Sequence, residues 1–164
     1  MSGVVFNANE VFEMAKRIEI NGGKFYRQGA EANPDVRELF LRLAQQEDRH
    51  LATFVEMQQA LSPREAESTA ADPDDEADLY LKAMADGHVF VAGKPLDKAL
   101  KPGMDTGELI EFAFGIEKDS IVFYLHMKEM VPRRLGMERI DGIIREEMRH
   151  IAWLNDYLGR TNAL

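Results

Sequence analysis

A chain of 164 residues with 45% hydrophobic and 30% charged residues has the length and balance of one globular domain able to bury its own core. A formal charge of -9 repels phosphate backbones, and no basic stripe with interleaved aromatics offsets it, which excludes nucleic acid as a partner. The absence of cysteine excludes disulfides, thiolate zinc sites, iron-sulfur clusters and a cysteine nucleophile, so any metal must be held by oxygen and imidazole.

The opening stretch MSGVVFNANEVFEM lacks the basic start and long apolar run of a secretory signal, and no window is apolar enough to span a membrane, so a cytoplasmic, membrane-free protein is expected. Apolar periodicity predicts a first helix over 9–32. Asn33, a good N-cap, and Pro34, a good first helical residue, make a tight corner into a second helix over 34–61. After Leu61 the pattern gives way to SPREAESTAADPDDEAD, which reads as a connection over 62–105 rather than a core element. A short helix from Glu76 to Asp86 is expected inside it, followed by Gly93, Pro95, Pro102 and Gly103. Periodicity returns in a third helix over 106–131, stopped by Pro132, and a fourth over 137–158 that ends near Gly159. The expected fold is a single all-α domain over 1–164, a four-helix bundle with a long crossover between helices two and three. That is the ferritin-like connectivity, whereas an up-down-up-down bundle uses three short loops.

The chain also repeats itself. Ile18-Glu19 followed by Phe25-Tyr26 in helix one returns as Ile116-Glu117 followed by Phe123-Tyr124 in helix three. Glu47-Asp48-Arg49-His50-Leu51-Ala52 in helix two returns as Glu147-Met148-Arg149-His150-Ile151-Ala152 in helix four. The unit is therefore a helical pair present twice, with a pseudo-twofold axis between the copies.

The repeated polar residues lie on faces that should be buried. In helix two Val36, Phe40, Leu43, Glu47, His50, Phe54, Met57 and Leu61 step by threes and fours along one stripe. Ile140, Ile143, Glu147, His150, Leu154 and Tyr157 do the same in helix four, and Glu19 and Glu117 sit in the stripes of helices one and three. Four unpaired buried carboxylates would cost several kcal/mol each, more than a domain's stability, so something positive must lie between them. The competing structural reading is a buried ionic network. A lone Glu-x-x-His means little; two copies on core faces, each preceded by a core Glu, point to a metal centre held by Glu19, Glu47, His50, Glu117, Glu147 and His150.

Residues three apart project from nearly the same side of a helix, so Glu47 and Glu147 can bridge two metals while His50 and His150 each bind one. Glu19 and Glu117 become terminal carboxylates, four Glu charges balance two divalent ions, and open positions remain for dioxygen or peroxide. Oxygen and imidazole donors suit two iron ions, with manganese or zinc also admissible. Glu108, Glu111, Glu129 and Glu146 fall off the ligand face and are expected to be dispensable for metal.

RIEINGGKFY, QEDRHLA, GIEKDSIVFY and EEMRHIA resemble the rubrerythrin branch of the ferritin-like superfamily, over all four helices but not the connection. The resemblance implies a di-iron site on the same six residues and a homodimer. The chain departs from that family in lacking a tetracysteine rubredoxin domain and in carrying Ser120 where the family has a further glutamate. The expected function is that of a di-iron carboxylate protein reacting with hydrogen peroxide or dioxygen as an oxidase, peroxidase or ferroxidase, with an external electron donor. The alternative is a non-catalytic binding or interaction module in which the metal staples the helices. Tyr26 and Tyr124, seven residues beyond Glu19 and Glu117, are placed either to bond a ligand carboxylate or simply to pack. His126 and His88 are read as surface or interface residues, the acidic run Asp72, Asp74, Asp75, Glu76 and Asp78 as a solvated loop, and the nine methionines as core filler.

Overall fold

The computed structural model describes residues 6–67, Leu79, residues 100 and 101, and residues 103–161. The expected helix over Glu76 to Asp86, apart from Leu79, lies outside these residues, as do the acidic run and His88. The elements are α1 (Ala8–Ala32), a 3-10 turn (Pro34–Val36), α2 (Arg37–Gln59), a short α3 (Pro63–Glu67), α4 (Thr106–Met130), a second 3-10 turn (Arg133–Leu135) and α5 (Met137–Thr161). Four long helices and no strand among the described residues make an all-α bundle. Among those residues no helix is long and apolar enough to cross a membrane.

The repeat extends to the helix starts. Asn7 caps α1 by accepting from the Glu10 amide at 2.9 Å, while the Asn7 amide donates to Glu10 Oε2 at 2.9 Å. Asp105 and Glu108 make the same reciprocal pair at the head of α4, again at 2.9 Å each. Each box satisfies two backbone donors that a helix start leaves without intrahelical partners.

Two departures from the expected boundaries have local causes. Asn33 ends α1, donating its amide to Gly29 O, and its side chain accepts from the Asp35 amide, so the chain reverses through a 3-10 turn and α2 proper begins at Arg37 rather than at Pro34. Beyond α2 the stretch expected to be irregular opens with α3, nucleated by Ser62: its amide and hydroxyl donate to Glu65 Oε2 at 2.8 and 2.7 Å. Ser62-Pro63-Arg64-Glu65 is itself a helix-start signature, with Pro at the first helical position. Arg134 Nε then ties Glu65 to the turn between α4 and α5 at 2.7 Å.

The core falls into two apolar clusters with the polar repeat between them. One holds Val11, Phe12, Ile18, Phe54, Met57, Phe123, Met127, Ile140 and Ile143; the other holds Phe25, Phe40, Leu43, Ile110, Ala113, Ile116 and Leu154. Read along the chain, α1 and α5 pass from the first cluster to the second, and α2 and α4 pass from the second to the first. Since α2 and α4 run in the same direction, the chain between them must return from one end of the bundle to the other, which is the long crossover. In the first hairpin the helices pack closely enough that a Cβ on Gly29 of α1 would stand 2.7 Å from the Phe40 ring of α2. Asn7→Ala removes one reciprocal cap and should lower unfolding stability by about 1 kcal/mol, measured by chemical denaturation; Glu10→Ala should lose a similar amount and the double variant little more, because both break one box.

Candidate metal centre

Between the apolar clusters all six repeated residues are withdrawn from water: Glu19, Glu47, His50, Glu117, Glu147 and His150 are each no more than 2% exposed. Their donor atoms form two groups that share members. Glu19, Glu47, His50 and Glu147 offer atoms within 4.8 Å of one another, and so do Glu47, Glu117, Glu147 and His150. The shared pair is Glu47 and Glu147. Glu147 Oε1 lies 3.2 Å from His50 Nδ1 and its Oε2 lies 2.8 Å from His150 Nδ1, so one carboxylate faces both imidazoles. Glu19 Oε2 stands 3.5 Å from His50 Nδ1, and Glu117 Oε2 stands 3.3 Å from His150 Nδ1. The two rings lie nearly parallel, 5.7 Å apart.

Glu19 Oε2, Glu47 Oε1, both oxygens of Glu147 and His50 Nδ1 are buried and have no hydrogen-bond partner. Buried acceptors are almost always paired, because leaving one unpaired costs its desolvation energy. Five such atoms converging on one point fit a pair of cations: hard oxygens plus imidazole nitrogen form a donor set for iron, manganese or zinc.

The charge balance of the apo cluster follows from burial. Burial first, then the neighbouring carboxylates, push Glu19 and Glu47 upward, and Glu117 rises to about 8. Glu147 goes the other way although burial opposes it, because it lies against both imidazoles, 2.8 Å from His150 Nδ1 and 3.2 Å from His50 Nδ1, and they hold it ionised. Burial disfavours the charged rings, yet Glu147 with Glu19 raises His50 to about 11, and Glu117 with Glu147 raises His150 to about 9. Without metal the cluster is therefore a store of protons, which cations would displace.

Tyr26 and Tyr124 bond carboxylates of the cluster, and they do so across the pseudo-twofold. The Tyr26 hydroxyl of α1 donates to Glu117 Oε1 of α4, and the Tyr124 hydroxyl of α4 donates to Glu19 Oε1 of α1. Burial and the adjacent carboxylates push both phenols well above their usual range, so they remain donors. The crossed bonds orient the two non-shared glutamates and lock α1 to α4. Ser120 is buried and turned back on its own helix, its hydroxyl donating to Ile116 O at 2.9 Å.

Gly22 makes room for a shared ligand. A Cβ there would lie 2.5 Å from Glu47 Oε2, closer than real contacts allow. On the outer side of His150 lies Trp153, with ring centroids 5.6 Å apart, and Arg42 covers the indole face at 3.8 Å.

One contact lies beyond what the pattern within a single helix shows. Glu146, placed off the ligand face of its own helix, reaches across to α2, and its Oε2 sits 2.7 Å from His50 Nε2. The phase within α5 is as expected; the packing of α5 against α2 puts a residue at the edge of the stripe in reach of the neighbouring helix. Glu108 serves the cap, and Glu111 and Glu129 are exposed, away from the cluster. His126 is partly buried on the far side of α4, its Nδ1 bonded to Val122 O at 2.9 Å.

The Rubrerythrin family model matches residues 10–89, which takes in Glu19, Glu47 and His50 of the first hairpin and not Glu117, Glu147 and His150 of the second. A crystal structure of a protein from Thermotoga maritima, assigned as a ferritin-like diiron-carboxylate protein, aligns with a TM-score of 0.73 at 23% identity, covering 93% of this chain and 94% of that one. At that identity the likeness is one of fold. No curated protein matches.

Two outcomes follow from this geometry. Gly22→Ala should drive the Glu47 carboxylate away from the shared position and lower metal stoichiometry, while the metal-free melting temperature holds or rises, since Ala is the better helix former; metal analysis beside thermal melting separates the two. In metal-free protein Glu117 has a folded pKa raised to about 8, so its contribution is complete below the ordinary carboxylate range and is lost as pH rises toward 8. Glu117→Gln lacks that loss. Its melting temperature relative to wild type should therefore climb steadily from about pH 5 to about pH 8 and then level off; a pH-independent difference contradicts the assignment.

Proposed function

We propose that this chain, rubrerythrin-like in sequence across its first hairpin and ferritin-like in fold throughout, is a di-iron carboxylate protein that reacts with hydrogen peroxide or dioxygen as an oxidase, peroxidase or ferroxidase. The supporting observation is the sharing within the cluster. Glu147 turns one oxygen to each histidine, and Glu47 belongs with it to both four-residue groups. Glu19 with His50 would complete one metal position, and Glu117 with His150 the other. Two iron ions there would supply the redox chemistry.

The chain's own groups set the conditions for it. Four carboxylates match the charge of two divalent cations, so loading would offset the burial of charge and the mutual repulsion that together raise Glu19, Glu47 and Glu117. Tyr26 and Tyr124 each occupy one oxygen of a non-shared glutamate, leaving its other oxygen to face the histidines. Phe54 and Tyr124 on one side and Phe25, Tyr26 and Phe40 on the other wall the site with packed rings, which restricts water and access. Reducing equivalents for repeated turnover are assigned to an external donor.

Anaerobic loading with ferrous iron, followed by mixing with peroxide, tests this. Two iron ions per chain should bind and both should oxidise rapidly, whereas the His50→Ala, His150→Ala double variant should lose most of its metal. Retention of both ions in the double variant overturns the ligand assignment. Two bound ions that stay ferrous in peroxide overturn the redox reading and leave the metal as a staple.

A further inference from the structure

The repeated ligand sets are near copies, but their surroundings are not. The two histidines differ at Nε2: in His50, Nδ1 faces Glu147 and Glu19 inside the cluster, while Nε2 meets Glu146 Oε2 at 2.7 Å. The Glu146 side chain is 37% exposed, so its charge is hydrated from outside while it holds a ring that is only 2% exposed. His150 presents Nδ1 to Glu147, Glu117 and Glu47 in the same way, yet its Nε2 is buried with no hydrogen-bond partner. A tryptophan ring lies beside it. The sequence repeat explains the difference: Glu146 directly precedes Glu147, whereas the residue directly preceding Glu47 is Gln46. A carboxylate has been placed in one half and an amide in the other.

We propose that Glu146 is a positioning residue for His50, and that it makes the two metal positions unequal. A neutral imidazole binds a cation through the nitrogen that carries no proton, and a carboxylate on the opposite nitrogen fixes the proton there. Glu146 thus holds one proton of His50 on Nε2, so that the proton a cation displaces is the one on Nδ1, facing the Glu19 and Glu147 oxygens, and it fixes the ring plane. His150 has no such clamp, so its ring plane and the proton on Nε2 are not held by a partner as the cation arrives. The position served by His50 is the better prepared and fills first. This inference rests on the dimetal reading above.

Cobalt(II) titration of metal-free protein, followed by visible absorption and calorimetry, provides the test. Wild type should bind two ions in two resolved steps. Glu146→Ala should weaken the tighter step by roughly 10- to 100-fold and leave the weaker step within about threefold, so that the steps merge; Glu146→Gln, which keeps an acceptor without the charge, should fall between. Gln46→Ala, the same truncation at the repeat-equivalent position, should move neither step. The zinc(II)-loaded proteins give an independent readout: nitrogen-15 NMR should show His50 protonated at Nε2 in wild type, with a downfield hydrogen-bonded proton that is absent from Glu146→Ala at unchanged helicity. Two cobalt ions bound with equal affinity in wild type and Glu146→Ala overturn the inference while leaving the dimetal reading intact. Equal losses from Glu146→Ala and Gln46→Ala overturn it too, and failure of wild type to bind a pair of ions overturns the dimetal reading itself.

Discussion

Like-charge repulsion among Glu19, Glu47, Glu117 and Glu147, held where water cannot reach them, sets the terms for the bundle around them. Each comes from a different long helix, so the repulsion acts on the association of α1, α2, α4 and α5 rather than on any one of them. The fold tolerates it by placing the charges at the middle layer, between two apolar clusters that hold the helices together on either side. His50 and His150 offset part of the charge, and Glu147 lies between them. A pair of divalent cations would offset the rest, turning the least favourable layer of the core into a cross-link of all four helices.

The surrounding structure limits how those charges can move. Crossed bonds from Tyr26 to Glu117 and from Tyr124 to Glu19 tie each half of the repeat to the other, so the non-shared glutamates cannot swing outward without releasing a buried phenol. Gly22 leaves a hollow that the Glu47 carboxylate fills. The repeat position of Gly22 in α4 is Ser120, whose hydroxyl is satisfied by its own helix and makes no demand on the site. Glu47 is thus seated over a glycine where the repeat-equivalent position holds a serine, an asymmetry of the same kind as Glu146 against Gln46.

Much of this was legible in the sequence because it depends on spacing within single helices. Glu47 with His50 and Glu147 with His150 lie three apart in apolar stripes, and a stripe that contains charge can only be reconciled with burial by a counter-charge. The crossover followed from a long polar stretch between the hairpins. What sequence did not reveal depends on contacts between helices. Glu146 sits at the edge of its stripe, and only the approach of α2 to α5 makes it a partner of His50. The spacing of Tyr26 and Tyr124 leaves open whether they bond a carboxylate or simply pack, and it does not reveal the crossing, since periodicity within α1 says nothing of which helix it faces. The start of α3 is different: Ser62, Pro63 and Glu65 carried the signal, and the polar composition around them masked it.

The lone tryptophan of the chain, Trp153, lies beside His150 of the cluster, with the Arg42 guanidinium over its ring. Because its ring centroid is 5.6 Å from that of His150, its excited state lies within quenching range of any open-shell ion bound there, and far closer than an exposed indole would be. The protein thereby carries an intrinsic optical gauge of its own loading. A closed-shell ion such as zinc would leave the emission largely intact, while iron, manganese or cobalt would darken it. Occupancy at the His150 position can be followed by light alone, with no added label.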